Sequence, residues 1–363
     1  MKIVVNCRFL SQKVTGVQRF ALELSKQLTL LDIDVEFIGP RDTNEDKINN
    51  RNIKKIGRLK GHLWEKVELP LYLLSTGSPI LINFCNTAPF FYKNQIVAIH
   101  DMAVFQDQEW FSKKFKLLYQ LAFKHYASFS KKIITVSEFS KKEIIKYLSI
   151  DASDVKVIYN GIEHFKYLSE DGASNKCDNI KGINLNEKFF LCVGSVEPRK
   201  NLNIVIESFQ SIELDGVKLV IVGGKDKLFK FLDLKSNISE KFHDKVVFTG
   251  YLTDFELISL YSSATAFIFP SVYEGFGIPP LEAMSLGCPS IVSNSTSLPE
   301  VCGDAAIYFD TNDVRDLSKK LEEISKCTQE QKGEIISKGI LQSEKYSWKK
   351  SALDLLDLIY SLN

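Results

Sequence analysis

Short runs of apolar residues alternate with segments of helical period along the chain. The first run, 2–6, precedes a segment whose apolar residues fall on one helical face, and a second run follows at 35–38. This alternation is typical of parallel α/β sheets, in which a helix connects successive strands. Later runs predict strands at 79–84, 96–100, 132–136 and 156–159, and then at 189–193, 218–222, 245–248, 266–269 and 290–292.

Two local patterns refine this picture. After the run 132–136, Ser140 and Glu143 have the spacing of a capping box, which predicts that a helix begins there.

The run 69–92 carries no charge and is long enough to span a bilayer, but prolines, a glycine and polar residues interrupt it. We therefore reject it as a transmembrane helix.

The pattern is interrupted once, by a polar segment without a clear period at 164–187. A chain of 363 residues is longer than one hydrophobic core usually covers, and domain sizes favour two domains. We predict a first domain at 1–163, a linker at 164–187 and a second domain at 188–346. Each domain is expected to be a doubly wound, Rossmann-like parallel sheet that binds ligands at the carboxyl ends of its strands.

Composition and charge narrow the class of protein. Hydrophobic residues make up 45% of the chain and charged residues 25%, as in ordinary globular proteins. The net charge of +1 combines +7 in residues 1–185 (27 Lys and Arg against 20 Asp and Glu) with −6 in the remainder (19 against 25). The basic half suggests an anionic partner, while the near-neutral total argues against a nucleic-acid partner. Seven scattered cysteines without a C-x-x-C pair fit a reducing cytoplasm.

The densest chemical signal is the segment 271–284, which runs from the end of a predicted strand into a helix with prolines in its first turn. Gly275 and Gly277 allow a ligand to approach the backbone closely. The N–H groups of a helix start can hold an anion or sugar oxygens. Glu274 in the loop and Glu282 in the helix would reach different parts of a molecule with two hydroxyl-bearing portions. The alternative is a solvated Glu274 and a capping Glu282.

A second cluster, 194–201, also lies between a predicted strand and a helix and contains Arg199 and Lys200. Arginine is rare here, because only Arg199 and Arg315 of the seven in the chain lie beyond the linker. A planar guanidinium beside an ammonium can clamp a diphosphate without a metal. The alternative is a basic turn that faces solvent.

Together the two clusters resemble glycosyltransferase family 4, the retaining enzymes with the GT-B fold. The resemblance covers nearly the whole chain, and its most specific part is the pair Glu274 and Glu282, with seven residues between them that include Gly-Phe-Gly. It implies two Rossmann-like domains that face a central crevice, with residues 347–363 returning to the first domain. Further matching segments are 198–201, 100–101, 135–137, 160–161, 298–301 and 303–306.

The resemblance also implies roles for individual residues. Arg199 and Lys200 would bind the diphosphate of a nucleotide sugar and stabilise the charge that builds up on it. Glu282 would hold the ribose, and Glu274 with the backbone of 275–277 would hold the donor sugar. The predicted donor-binding residues are Gly16, Ser195, Arg199, Lys200, Glu274, Gly275, Phe276, Gly277, Ile278 and Glu282, and the predicted catalytic residues are Arg199, Lys200, Glu274 and His100.

In the first half of the chain, residues 15–19 resemble the glycine loop of the family. Many members have two or three glycines there, and this chain has only Gly16. Arg19, His100 and Asp101 are assigned to the acceptor side. Arg19 has the alternative of a solvated position on the first helix. A lone histidine is usually structural, but the matching His-Asp pair implies contact with the donor sugar.

No metal or other cofactor is expected. Asp32 and Asp34 formally match the D-x-D metal motif of another glycosyltransferase architecture, but they lie between the first helix and the second strand and are interpreted as a helix stop. General-base catalysis by His100 is not required, because in retaining GT-B enzymes the leaving diphosphate helps to deprotonate the acceptor.

The region between Lys113 and Lys146 is a candidate membrane surface. It contains nine lysines and only two acids, and aromatic residues and leucine lie between the lysines. A solvated helix face is the default interpretation. The alternative is an interfacial helix on an anionic membrane.

The sequence therefore predicts a retaining, metal-independent glycosyltransferase that uses a nucleotide sugar. We expect it to move a hexose to a lipid-linked or oligosaccharide acceptor of O-antigen or capsule, in the cytoplasm or at the inner face of the cytoplasmic membrane. The first donor candidate is GDP-mannose, and dTDP-rhamnose or a UDP-sugar is the alternative. A GT-B sugar-nucleotide epimerase and a non-catalytic glycan-binding partner remain further alternatives.

Overall fold

The computed structural model describes residues 2–44, 48, 53–163, 178–224 and 234–362. The chain divides into two compact units. Unit 1 consists of Met1–Gln106, Lys113–Gly161 and Ser347–Asn363, and unit 2 consists of Asp107–Ser112 and Ile162–Tyr346.

In the described part of unit 1, seven parallel strands form one sheet in the order β3-β2-β1-β4-β5-β6-β7. The chain builds outward from β1 in one direction and then restarts on its other side with β4, so the strand order reverses between β1 and β4. The strands are β1 (Ile3–Asn6), β2 (Val35–Gly39), β3 (Lys54–Lys55), β4 (Ile80–Asn83), β5 (Gln95–Ala98), β6 (Lys132–Thr135) and β7 (Val155–Val157).

The helices of unit 1 cover this sheet. The first and the last of them pack together, with the rings of Phe20 and Trp348 6.0 Å apart between centroids. The predicted capping box at Ser140 is wrong: the last helix before β7 begins one turn earlier, because the Ser137 side chain accepts a hydrogen bond from the N–H of Ser140 over 2.9 Å. The helices are α1 (Gly16–Leu30), α2 (Gly61–Leu63), α3 (Leu69–Ser75), α4 (Lys113–Phe129), α5 (Glu138–Leu148) and α12 (Trp348–Tyr360).

A π-helical turn, Trp64–Glu68, joins α2 to α3. Such turns are rare and shift the register of the side chains that follow. This one buries Trp64 and Glu65 completely and places Lys66 Nζ 3.3 Å from the centroid of the Phe90 ring. No pattern in the sequence predicted it.

The uncharged run 69–92 forms α3 and β4 with their connections. Among the helices of the described ranges, none is both long enough and apolar enough to cross a bilayer.

In the described part of unit 2, six parallel strands form a sheet in the order β12-β11-β10-β13-β14-β15. The strand order reverses between β10 and β13. The strands are β10 (Lys188–Val193), β11 (Val217–Val222), β12 (Val246–Gly250), β13 (Ala266–Phe269), β14 (Ser290–Ser293) and β15 (Ile307–Phe309), and the helices are α6 (Leu202–Gln210), α7 (Asp254–Ser263), α8 (Ile278–Ser285), α9 (Leu298–Cys302), α10 (Val314–Lys326) and α11 (Gln329–Ser343).

The predicted linker lies only partly within the described residues. Positions 164–177 are outside them. The remainder contains a short antiparallel hairpin of β8 (Asn179–Ile180) and β9 (Ile183–Asn184), followed directly by β10. This described remainder is therefore part of unit 2.

Both sheets have the doubly wound topology that the sequence predicts, with buried strands and helical crossovers. On unit 2, apolar side chains of β10, β11 and β13 pack with the buried faces of α6 and α10 into one core. In sheets of this kind, ligands bind at the carboxyl ends of the strands where the strand order reverses. In unit 2 that position follows Val193 and Phe269, the last residues of β10 and β13.

Candidate functional site

The loops after β10 and β13 meet at the reversal point of the unit 2 sheet. The loop after β10 leads through the half-buried Ser195 to a 3-10 turn, Pro198–Lys200, that precedes α6. The loop after β13 leads to α8. The two loops are joined by a backbone hydrogen bond, since the N–H of Val272 donates to the carbonyl oxygen of Arg199 over 2.9 Å.

Arg199 contacts Glu197, Tyr273 and Glu274 of unit 2. Its Nη1 donates to the carbonyl oxygen of Tyr273 over 2.8 Å and lies 3.1 Å from Glu274 Oε2. Its Nη2 donates to Glu197 Oε1 over 2.7 Å. The side chain exposes only 15% of its surface. The guanidinium therefore has a fixed position at the end of the sheet.

Lys200 completes an ion cluster with Arg199. Its Nζ donates to Glu274 Oε1 over 2.5 Å and lies 4.9 Å from the centroid of the Phe269 ring, an arrangement that stabilises an ammonium. The structure thus brings together Arg199, Lys200 and Glu274, which the sequence predicted for one site. The cluster as a whole contains two acids, Glu197 and Glu274, and two bases.

The two cations determine the ionisation of Glu274. Burial by itself would raise the pKa of this carboxyl group, but the charges of Lys200 and Arg199 lower the pKa to about 2. Glu274 is therefore a carboxylate at neutral pH. In this structure it occupies the place between the two cations, where an anionic ligand would bind them.

Hydroxyl groups after β14 hold the loop that carries Glu274. Ser297 Oγ donates to the carbonyl oxygens of Glu274 and Phe276 over 3.0 and 2.9 Å. Thr296 Oγ1 accepts from the N–H of Glu274 over 3.0 Å. Ser295 Oγ donates to the carbonyl oxygen at the start of the loop over 2.8 Å. The loop is therefore fixed by three successive side chains that the sequence analysis did not assign to the site.

Gly277 ends this loop with a φ of +97°, which favours glycine. A Cβ there would lie 2.4 Å from Leu298 Cδ2. Backbone conformation and packing therefore require this glycine, in addition to the close approach of a ligand that the sequence predicts. Gly275 and Phe276 lie buried in the same loop, and Ile278 is the first residue of α8.

Glu282 lies on α8 and is 8% exposed. Its Oε2 accepts a hydrogen bond from the Tyr261 hydroxyl over 3.4 Å. Burial, together with the Glu282 charge, raises the pKa of Tyr261 well above its usual range, so the phenol keeps its proton and remains a donor. Tyr261 is a partner that the sequence analysis did not identify.

The remaining predicted residues lie in unit 1. Gly16 is the first residue of α1, and a Cβ there would meet no atom within 4 Å. The structure therefore gives no packing reason for a glycine at this position. Arg19 follows on the same helix, with Nη1 3.8 Å from Oε1 of the buried Glu23.

His100 follows β5 and is buried. Its ring Nε2 lies 2.7 Å from the carbonyl oxygen of Phe84 and must therefore carry the proton. Burial lowers the pKa of His100, although the Phe84 carbonyl and the Asp101 charge act in the opposite direction. The ring is neutral at pH 7, with its lone pair on Nδ1. Asp101 Oδ1 accepts from the N–H of Ala103 over 2.9 Å and so caps the next turn.

A buried polar network, which the sequence analysis missed, lies at the reversal point of the unit 1 sheet. Glu65 Oε1 accepts from Arg8 Nε over 3.0 Å and from Asn6 Nδ2 over 2.8 Å. Arg8 Nη2 donates to Thr87 Oγ1 over 2.8 Å. The available signal was an arginine two residues after the apolar first strand. Its partner Glu65 comes from the π-helical turn, which has no sequence signature.

Across the ranges that the structure describes, no group of three or more His, Cys, Asp and Glu is placed to hold a metal ion. Asp32 and Asp34 lie between α1 and β2, as the sequence analysis interpreted them.

The chain has two doubly wound units, and unit 2 carries a fixed pair of cations after β10. This is the arrangement expected of a GT-B glycosyltransferase. The family model described as Glycosyltransferase Family 4 matches residues 14–164. The model described as Glycosyl transferases group 1 matches residues 174–340. The chain belongs to glycosyltransferase family 4, and the predicted family and GT-B fold class are confirmed.

The relatives it is similar to include two O-antigen enzymes that match over most of their length. The chain is 30% identical to O-antigen chain mannosyltransferase RfbU of Salmonella typhimurium over 284 residues, 75% of this chain and 73% of that protein. It is 27% identical to O-antigen chain mannosyltransferase B of Escherichia coli over 377 residues, 96% of this chain and 97% of that protein.

A third relative is matched only in part. The chain is 33% identical over 228 residues to the serotype-specific mannosyltransferase WbdA of Escherichia coli. The match covers 61% of this chain and 27% of that protein. The chain therefore spans about a quarter of WbdA.

Solved structures agree on the fold. Sucrose-phosphate synthase of Thermosynechococcus elongatus has a TM-score of 0.74 at 16% identity and covers 100% of this chain and 99% of its own. HepE of Anabaena, solved with UDP and glucose, has a TM-score of 0.73 at 16% identity and covers 99% of this chain and 100% of its own. At this identity the likeness concerns the fold alone.

Proposed function

We propose that this glycosyltransferase moves a hexose from a nucleotide sugar to a lipid-linked or oligosaccharide acceptor during assembly of a surface polysaccharide. Mannose from GDP-mannose is the first candidate. The observation that carries the proposal is the pair Arg199 and Lys200, fixed at the reversal point of the unit 2 sheet. The O-antigen mannosyltransferases among the relatives support the choice of sugar and pathway.

In the proposed reaction, Arg199 and Lys200 bind the diphosphate of the donor. A guanidinium offers parallel N–H donors that match phosphate oxygens, and an ammonium adds a point charge. As the bond to the sugar breaks, negative charge builds up on the diphosphate, and the two cations stabilise it more strongly than they stabilise the bound donor. This assigns to side chains the charge stabilisation that a divalent metal supplies in other transferases.

The same proposal gives roles to the other predicted residues. Glu282 is proposed to hold the ribose, and Glu274 with the backbone of 275–277 to hold the sugar. Retention follows if the acceptor attacks the face that the diphosphate leaves, with the diphosphate taking the acceptor proton. The remaining assignments are Gly16, Ser195, Phe276 and Ile278 on the donor side and Arg19, His100 and Asp101 on the acceptor side.

A donor screen tests the proposal directly. Thermal stability and slow donor hydrolysis are measured with GDP-mannose, dTDP-rhamnose, UDP-glucose and UDP-galactose. We expect one nucleotide sugar to raise the melting temperature and to be hydrolysed. Absence of both effects with every donor would contradict a nucleotide-sugar transferase. Binding without transfer to any glycan would favour the non-catalytic alternative.

Substitution of Arg199 tests the role of the cation pair. We expect Arg199→Ala to lower kcat/KM by at least about 100-fold, because the lost contacts act on the developing diphosphate charge. Arg315→Ala is the matched control, since Arg315 is exposed and lies on α10. Near-normal turnover by the Arg199 variant would remove the diphosphate clamp from the mechanism.

Metal independence and retention are tested separately. We expect turnover to persist in excess EDTA and the new bond to have the anomeric configuration of the donor by proton NMR. Loss of activity in EDTA with recovery in manganese would overturn the first expectation. An inverted product would overturn the second.

We also propose that α4 lies against an anionic membrane, so that the enzyme works in the cytoplasm at the inner face of the membrane. None of the 17 residues of α4 is acidic, and Phe123 and Tyr126 face the interior. Leucines therefore provide the apolar surface, with 58%, 61% and 59% of Leu117, Leu118 and Leu121 exposed. The exposed face of α4 includes Lys113, Lys114, Leu117, Leu118, Leu121 and Lys124. Apolar side chains flanked by lysines suit anionic lipid.

Vesicle sedimentation tests the membrane surface. We expect the protein to bind vesicles that contain phosphatidylglycerol and not vesicles of phosphatidylcholine, and to be released by salt. Replacing Leu117, Leu118 and Leu121 together with glutamine is expected to abolish binding. The control replaces Leu30 and Leu341 with glutamine. These leucines lie outside α4 and are 71% and 63% exposed. Equal loss in both variants, or self-association through α4, would contradict the proposal.

A further inference from the structure

The two acids of the ion cluster hold Arg199 in different ways. In the described residues Glu197 forms an ion pair with Arg199 alone. Its Oε1 lies 2.7 Å from Arg199 Nη2. Glu274 spans both cations, with Oε2 3.1 Å from Arg199 and Oε1 2.5 Å from Lys200. A ligand that binds both cations therefore competes directly with Glu274. It does not need the place of Glu197.

Burial separates the two acids further. The Glu197 side chain is 1% exposed and the Glu274 side chain 11% exposed. Glu197 Oε2 is buried and has no hydrogen-bond partner in the described residues. A buried carboxylate that loses its only cation is strongly destabilising. The pair of Glu197 and Arg199 is therefore much harder to separate than the pair of Glu274 and Arg199.

Backbone hydrogen bonds also hold Arg199 and its turn without Glu274. The carbonyl oxygen of Tyr273 accepts from Arg199 Nη1 over 2.8 Å, and the N–H of Lys200 donates to the carbonyl oxygen of Glu197 over 3.1 Å within the 3-10 turn. If Glu274 moves away, Arg199 keeps both a carboxylate and a carbonyl as partners. The guanidinium then stays in place, and the side of it that faced Glu274 becomes available to another anion.

We propose that Glu197 is a positioning residue for the diphosphate site, and that Glu274 is the partner which the donor diphosphate displaces from Arg199 and Lys200. The inference rests on the proposed function, because it concerns how that donor enters. Glu197 keeps the guanidinium oriented before and after the exchange. Glu274, once released, becomes available to accept hydrogen bonds from sugar hydroxyls.

This exchange predicts opposite effects from the two acids on the binding of a nucleoside diphosphate. Glu274→Gln removes the internal competitor, so we expect GDP or UDP, whichever the wild type binds, to bind several-fold more tightly while sugar transfer falls. Glu197→Gln removes the group that orients Arg199, so we expect the same nucleotide to bind roughly tenfold more weakly. Both variants replace a carboxylate by its amide, so the steric change is the same.

Isothermal titration measures the affinity of wild type and both variants for the nucleoside diphosphate. Competition against that diphosphate measures their affinity for the corresponding nucleoside. A positioning role predicts that Glu197→Gln weakens the diphosphate and leaves the nucleoside unchanged, and that donor KM rises more than kcat falls. Glu213→Gln is the control, since Glu213 forms an exposed pair with Lys241 at 2.6 Å.

Four outcomes overturn the inference. Unchanged diphosphate affinity in Glu197→Gln removes the positioning role while leaving the proposed function intact. Equal weakening of the nucleoside, or weakening by Glu274→Gln as well, means that the acids only maintain the fold. If the wild type binds no nucleoside diphosphate at all, the proposed function itself fails.

Discussion

Lys200 Nζ lies 2.5 Å from Glu274 Oε1, although the two residues are 74 positions apart. The contact joins the loop after β10 to the loop after β13, and these strands are neighbours because the strand order of the sheet reverses between them. Sheet topology thus places a cation and an anion from distant parts of the chain within one ion cluster. The same contact makes the stability of unit 2 depend on the ionisation of Glu274.

The pH dependence of stability tests this contact. The pKa of Glu274 falls from 4.5 to about 2 in the folded protein. A lowered pKa stabilises the fold above the unfolded pKa, and the stabilisation is lost as pH falls toward the folded pKa. The shift corresponds to on the order of 3 kcal/mol. We expect wild type to exceed Glu274→Gln in the free energy of unfolding by a constant amount from pH 7 to 5.5, and by progressively less below pH 5.

Urea unfolding at several pH values measures this difference. Glu213→Gln again provides a carboxylate-to-amide control, because the pair of Glu213 and Lys241 is exposed and should change stability little at any pH. A gap between wild type and Glu274→Gln that stays constant down to pH 3 would contradict the ionic origin of the contact.

Gly277→Ala should destabilise unit 2. The residue has a φ of +97°, and an added Cβ would lie 2.4 Å from Leu298 Cδ2. Backbone strain and overpacking together predict a loss of about 2–4 kcal/mol. Gly333→Ala is the matched control, because Gly333 lies inside α11 with no atom within 4 Å of the added Cβ. The control should be neutral or more stable by up to about 1 kcal/mol. Equal midpoints of denaturant unfolding for both variants would refute the packing argument.

His100 should remain neutral, with its proton on Nε2, throughout the physiological pH range. Burial lowers its pKa, and Nε2 lies 2.7 Å from the Phe84 carbonyl oxygen. We expect its ring nitrogen shifts in NMR spectra to report the Nε2-protonated neutral ring at pH 8 and to titrate with a midpoint below 6.5, with assignment from the signals that disappear in His100→Gln. A titration midpoint above 6.5 would show that the ring is not held as described.

Much of the fold could be predicted because apolar runs and helical periods are local features. Eleven of the thirteen strands in the described parts of the two sheets lie at or within a few residues of the predicted runs, and two doubly wound units follow from their alternation. The short edge strands β3 and β15 were not predicted. The π-helical turn at Trp64–Glu68 could not be predicted, since its register depends on burial of Trp64 and Glu65 by distant residues. The start of α5 was misplaced because both Ser137 and Ser140 can cap a helix. In the structure Ser137 is the N-cap, and Ser140 lies within the first turn.

The candidate site shows the same division. The sequence could identify Arg199, Lys200 and Glu274 as chemically relevant, because they follow predicted strands and carry the charges that a phosphate or sugar needs. It could not show that Glu274 pairs with both cations, since that contact depends on which strands are neighbours. Thr296 and Ser297 were missed for the same reason, because their hydroxyls act on backbone more than 20 residues away.

The buried pair of Arg8 and Glu65 should show strong energetic coupling. Nε and Oε1 lie 3.0 Å apart, and the two side chains are 5% and 1% exposed. Removing one partner leaves a buried charge, so Arg8→Met or Glu65→Leu alone should cost about 3–5 kcal/mol, whereas the double variant should cost much less than their sum. Lys326→Met and Glu322→Leu form the control cycle, because that exposed pair at 3.1 Å should show little coupling. Urea unfolding of both cycles gives the coupling energies, and additive losses at Arg8 and Glu65 would mean that the network is not held by their charges.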